Sequence, residues 1–170
     1  MNHRERVVAA IRHQPVDRMP VDLGGMRSTG IMAIAYHQLK QRLGITEGEL
    51  RIFDATQQLA YVEAPIRERF GCDVVILDLG LLQGWRDYTL PDGTPAKITA
   101  KFQTEPDGEG GEFSLDDQGR RVGHRPKNSY YFDKYGPAPL AEAETIEDLD
   151  RYPWRVYTDE ELEALRSEAR

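Results

Sequence analysis

The run CDVVILDLG, residues 72 to 80, restricts the fold more than any other stretch of this chain. It is apolar and β-branched with no polar alternation, the pattern of a strand covered on both faces, as in a parallel sheet. An earlier segment, MPVDLGG at residues 19 to 25, reads as a shorter extended piece. Helical patterns surround the two. Asn2 with Glu5 forms a capping box for a helix over residues 3 to 13, with Val7, Val8 and Ile11 on one face. Ser28 or Thr29 caps a second helix through about Leu43, with Ile31, Ile34, Ala35 and Leu39 inward and Gly44 as its stop. Asp54 with Gln57 opens a third over about 55 to 69, facing inward through Leu59, Val62, Ile66 and Phe70, where Pro65 bends it or starts a second segment. Two extended-helix-extended units in succession predict an α/β fold.

The pattern changes at residue 84. From GWRDYTLPDGTPAKITAKFQ through GEFSLDDQGRRVGHRP to NSYYFDKYG, alternating residues are broken by PDG, DGEGG and DQG. Those are turn signals between antiparallel strands, so residues 84 to 133 are expected to form an inserted hairpin or meander. The aromatic residues Trp85, Tyr88, Tyr130, Tyr131 and Phe132 supply it with a small core of its own. Beyond it, Thr145 caps IEDLDRY, and Thr158 with Glu161 caps a final acidic helix.

Composition narrows the partners. With 39% hydrophobic and 30% charged residues in 170, the chain has material for a globular core. A net charge of −7 without clustered Lys and Arg excludes general affinity for nucleic acid or an anionic membrane, leaving small molecules or other proteins. No apolar run approaches the ~18 residues of a membrane span, and MNHRERVVAAIRHQ is too charged for a secretory signal, so the expected compartment is the cytoplasm. Cys72, the one cysteine, is expected to be a buried structural thiol, and His3, His13, His37 and His124 show no metal-binding spacing.

Two places can carry chemistry, because ligands of parallel α/β folds gather at the carboxyl ends of strands. Gly24 and Gly25 let the backbone turn sharply, and Arg27 follows beside a helix start, which is a carboxylate or phosphate site in outline. The structural alternative is an arginine pairing with Asp22 or Asp17. Asp78, near the end of VVILDLG, and Asp22, in the first extended segment, are carboxylates set in apolar runs. Each must be paired, hydrogen-bonded or at a strand mouth, and structural and functional roles are equally open for both.

These residues also carry a resemblance. NHRERVVAAIRHQPVDRMPVDLGG, FGCDVVILDLG and PLAEAETIEDLDRYPW look like successive landmarks of the uroporphyrinogen decarboxylase superfamily, which includes the porphyrin decarboxylase and methyltransferases acting on corrinoids and thiols. The resemblance implies a (β/α)8 TIM barrel with MPVDLGG and VVILDLG as its first two strands. It makes residues 1–83 the start of the barrel, 84–133 an inserted β-rich segment, and 134–170 a return to barrel helices. Such a barrel needs ~250 residues, so the chain is expected to hold only an amino-terminal, partial barrel, incomplete as an enzyme by itself.

The resemblance further separates two activities. The decarboxylases carry a Met-Arg-Gln-Ala-Gly-Arg motif whose arginines meet substrate carboxylates. Here the run is MRSTGI, which matches Met26, Arg27 and Gly30 but puts Ile31 at the second arginine. Their second strand ends Phe-Ser-Asp, and that aspartate aligns with Gly80, two residues beyond Asp78. An isoleucine facing a buried carboxylate costs several kcal/mol. The expected branch is therefore the methyltransferase-like one, with the decarboxylase and a catalytically inactive, partner-binding barrel remnant as alternatives. The implied substrate-binding set is Arg27, Asp22, Asp78, Gly25 and Gly30. In a complete member, zinc held by later residues and a corrinoid (cobalamin) partner supply the methyl chemistry, and this chain alone is expected to bind neither. A corrinoid protein or the remaining barrel half is the expected macromolecular partner.

Overall fold

The first helix, α1 (His3–Ile11), begins where the capping box places it: Asn2 accepts the Glu5 amide at 2.8 Å, and Glu5 accepts the Asn2 amide at 3.0 Å. Its buried residues are Arg6 and Ala9, while Ile11 is exposed. The inward turn of Arg6 follows from charge, since Asp17 and the fully buried carboxylate of Asp73 receive its guanidinium. The computed structural model describes residues 1–138 and 140–169. They form two units, Met1–Phe102 and Gln103–Arg170.

In the amino-terminal unit, Arg27–Thr29 make one 3-10 turn, and α2 (Ala33–Leu43) starts from Met32 rather than from Ser28 or Thr29. It stops at Gly44, whose φ of 68° is the left-handed cap expected there. Its buried residues are Ala33, Tyr36 and Lys40; of the expected inward set, Ile31 and Ile34 pack partly buried against the core and Ala35 is exposed. Lys40 is tolerated inside because its ammonium reaches Glu63 at 2.5 Å.

The third expected helix is largely replaced. Strands β1 (Arg51–Asp54) and β2 (Leu59–Ala60) form a tight antiparallel pair, and α3 (Ala64–Phe70) begins only after them, with Pro65 in its first turn. Asp54 does accept the Gln57 amide at 2.8 Å, but the bond closes a turn, and pairing with β1 then draws residues 59 and 60 into a sheet. Leu59, Val62 and Ile66 are still buried, from a strand, a loop and a helix instead of one helix face.

MPVDLGG and VVILDLG are not strands. They run side by side near Val21 and Asp73, where the Asp73 amide donates to the Val21 carbonyl at 2.7 Å. The Val21 amide donates instead to the Asp73 carboxylate at 2.9 Å, so a side chain takes the donor that a backbone ladder would use. The sheet of this unit is built elsewhere. After the short α4 (Leu79–Leu82), β3 (Trp85–Thr89) and β4 (Pro95–Thr99) join β1 and β2 in the order β2-β1-β4-β3. Only the β1/β4 pair is parallel, with Ile52 opposite Ile98. Both are fully buried, in a core shared with Ala33, Tyr36, Val62, Ile66 and Leu90.

The carboxy-terminal unit holds an antiparallel meander, β5 (Gln103–Pro106), β6 (Glu112–Leu115), β7 (Arg121–Arg125) and β8 (Asp133–Lys134), paired in chain order. Its turns fall on the expected signals. Asp107 accepts the Glu109 and Gly111 amides, and Asp116 those of Gln118 and Arg120. Helices α5 (Ile146–Arg151) and α6 (Asp159–Glu168) follow, each started by the expected threonine cap, which in both closes a capping box, with Asp148 and with Glu161. The fold is thus mixed α/β with two four-stranded sheets, and the described strands close no barrel. Among the described residues no helix is long and apolar enough to cross a membrane.

Candidate functional site

The loop at residues 22 to 30 is shaped by its glycines. Gly24 sits at φ 81° and donates its amide to Thr29 O at 2.8 Å, closing the loop. Gly25 donates to Asp22 Oδ1 at 2.7 Å, and a Cβ there would stand 2.7 Å from Val74 Cγ1, so the loop lies directly on the second apolar segment. Gly30 passes equally close to Leu59. Asp22 therefore fixes the loop backbone through Gly25.

Arg27 projects from this loop between two carboxylates. Its Nε donates to Asp54 Oδ2 at 2.5 Å, and its Nη2 lies 2.9 Å from Asp78 Oδ2. Each aspartate is anchored by its other oxygen, Asp54 on the Gln57 amide and Asp78 on the Gly80 amide. The guanidinium carbon also stands 5.8 Å from the centre of the Phe53 ring. Burial would lower the Arg27 pKa, but its bonds to Asp54 and Asp78 outweigh that and raise it above the ordinary value. The side chain remains 52% exposed. Among the described residues nothing takes the two Nη1 hydrogens, which is a pre-oriented edge suited to a carboxylate or phosphate oxygen.

Of the residues expected to form a site, Arg27 and Asp78 are in direct contact, Gly25 carries Asp22, and Gly30 packs under the loop. Asp54 was not foreseen. Its signal was present as RIFD, an apolar run ending in aspartate like VILD, but the carboxylate also fits a helix cap and reads as one. Cys72 is buried, and burial pushes its thiol pKa up, which suits a structural thiol. Among the described residues no group of three or more His, Cys, Asp or Glu side chains is arranged to hold a metal ion. Compared with family models, curated proteins and solved structures, the chain matches none.

Proposed function

We propose that this chain supplies the substrate-facing edge of an enzyme site of the uroporphyrinogen decarboxylase superfamily, in its corrinoid- and thiol-linked methyltransferase-like branch. On this reading residues 19–25 and 74–80, lying side by side without a ladder, take the places of the first two strands of a partial barrel, and Arg27 binds an anionic group of a small-molecule substrate. The observation that carries it is the Arg27–Asp78 ion pair, which joins the two loops that the resemblance puts at the barrel mouth. Asp54 and Asp78 position the guanidinium, and its outer edge meets the ligand.

Ile31 favours methyl transfer over decarboxylation. It packs against the hydrophobic core of Ala33 and its neighbours, a place unsuited to a second arginine for a polycarboxylate. On this reading zinc and the corrinoid belong to a complete family member or its partner protein.

The test uses the full product of the gene with methylcobalamin, zinc and a carboxylate-bearing thiol, followed by visible absorbance. Thiol-dependent demethylation is expected, reduced roughly a hundredfold in Arg27→Ala, the loss typical of a removed charge-stabilising donor. Coproporphyrinogen formed from uroporphyrinogen, without demethylation, would replace this reading with the decarboxylase. Neither product would leave the chain without an enzymatic role.

A further inference from the structure

A groove of about 710 Å³ lies in the amino-terminal unit between α1, α3 and residues 72 to 75, and Arg27 is not among its walls. Its floor is Val7, Val8, Val74 and Val75, and Val75 is 60% exposed. Arg4 and Arg67 stand on its rim, and among the described residues neither has a carboxylate partner. The buried carboxylate of Asp73 is already neutralised by Arg6 and Arg18, so Glu68 is the one acidic wall group set against Arg4 and Arg67, and the groove keeps a net positive charge over an apolar floor.

The carboxy-terminal unit carries the converse surface. Helix α6 has five acidic side chains and one basic one, and Leu162 and Leu165 fall on one stripe at helical spacing. At 100° per residue, Asp159 and Glu168 flank that stripe. Leu162 is exposed, and so are Val156 and Tyr157 just before the helix. An apolar stripe with acidic flanks fits a groove with an apolar floor and basic rim in both shape and charge.

The geometry points to this groove as the docking site for α6 of a second copy of the chain, in a reciprocal exchange that forms a two-fold dimer. Reciprocity uses both groove-helix contacts in each dimer and leaves no free end to propagate a filament. A ten-residue helix is about 15 Å long and meets the groove with one face, as amphipathic helices do in grooves of other proteins. The inference does not depend on the proposed enzymatic function.

Sedimentation velocity of the full chain over a concentration series tests it. The expected result is a dimer that Leu162→Asp and Val75→Asp each convert to monomer with unchanged circular dichroism. Arg4→Glu and Glu168→Arg are exposed changes that leave the folded protein intact. Each should weaken the dimer about tenfold, and the two together should bring it back to within about threefold of the parent. A monomer at roughly 100 µM would overturn the proposal, as would a dimer indifferent to all four substitutions.

Discussion

Asp73 is the most heavily committed side chain of the amino-terminal unit. Its carboxylate is fully buried and receives Arg6, Arg18, His3 and the Val21 amide. Burial by itself would raise its pKa, but Arg18, Val21, His3 and Arg6 hold it well below the ordinary carboxylate range. Removing one member of a buried ion network leaves charge uncompensated. Asp73→Ala is therefore expected to cost about 3–5 kcal/mol in urea unfolding, and a loss below about 1 kcal/mol would show the network to be dispensable. Nothing in CDVV distinguishes Asp73 from Asp78 by sequence, because its partners come from residues 3, 6, 18 and 21 and are assembled only by the fold. Arg27 is the reverse case. Its glycine-flanked position marks it for an anion, yet its actual neighbours, Asp54 and Asp78, come from 27 and 51 residues further along the chain.

At the scale of elements, local chemistry was legible wherever the deciding bonds span three or four residues. The capping boxes at Asn2, Thr145 and Thr158, the Gly44 stop and the Asp107 and Asp116 turns are all of this kind. Thr158→Ala is expected to cost about 1 kcal/mol and to fray α6, read by helical circular dichroism. Where distant pairing competed, local preference lost: the Asp54–Gln57 bond forms, but Ala60 pairs with Ile52 and no helix begins there. Faces were misjudged for a related reason. Apolar periodicity places Ile11 inward on α1, whereas Arg6 takes the interior because Asp17 and Asp73 wait for it. Gly24 tests the loop that presents Arg27. At φ 81° and with Val62 Cγ2 only 2.5 Å from where a Cβ would stand, Gly24→Ala should destabilise by about 1–3 kcal/mol and alter ligand binding at Arg27. Binding that stays unchanged in a variant of lowered stability would separate the loop from the site.

For the molecule as a whole, the placement of carboxylates predicts acid lability. Both units carry an aspartate with a depressed pKa: Asp73 in the first, and in the second Asp107, lowered to about 2 by its bond to His124 and by the Glu109 and Gly111 amides. The unfolded chain protonates such groups near pH 4, so the stability they contribute is complete above that value and is lost as pH falls through the folded-state values. Urea midpoints should hold from pH 7 to 5 and fall steeply from 4 to 2. Asp107→Asn should flatten the part of that fall belonging to the meander, and an unchanged slope would remove Asp107 from the account. The sequence by itself determined the α/β character, the helix caps at Asn2, Thr145 and Thr158, the Gly44 stop and the Asp107 and Asp116 turns of the meander, since each rests on bonds or patterning within a few positions. Tertiary structure decided that CDVVILDLG and MPVDLGG lie side by side without a ladder, that the parallel pair is β1 with β4, and that Asp54 completes the arginine's setting. Those outcomes turn on which distant donor, carboxylate or strand reaches a group first, and only the folded chain brings such competitors together.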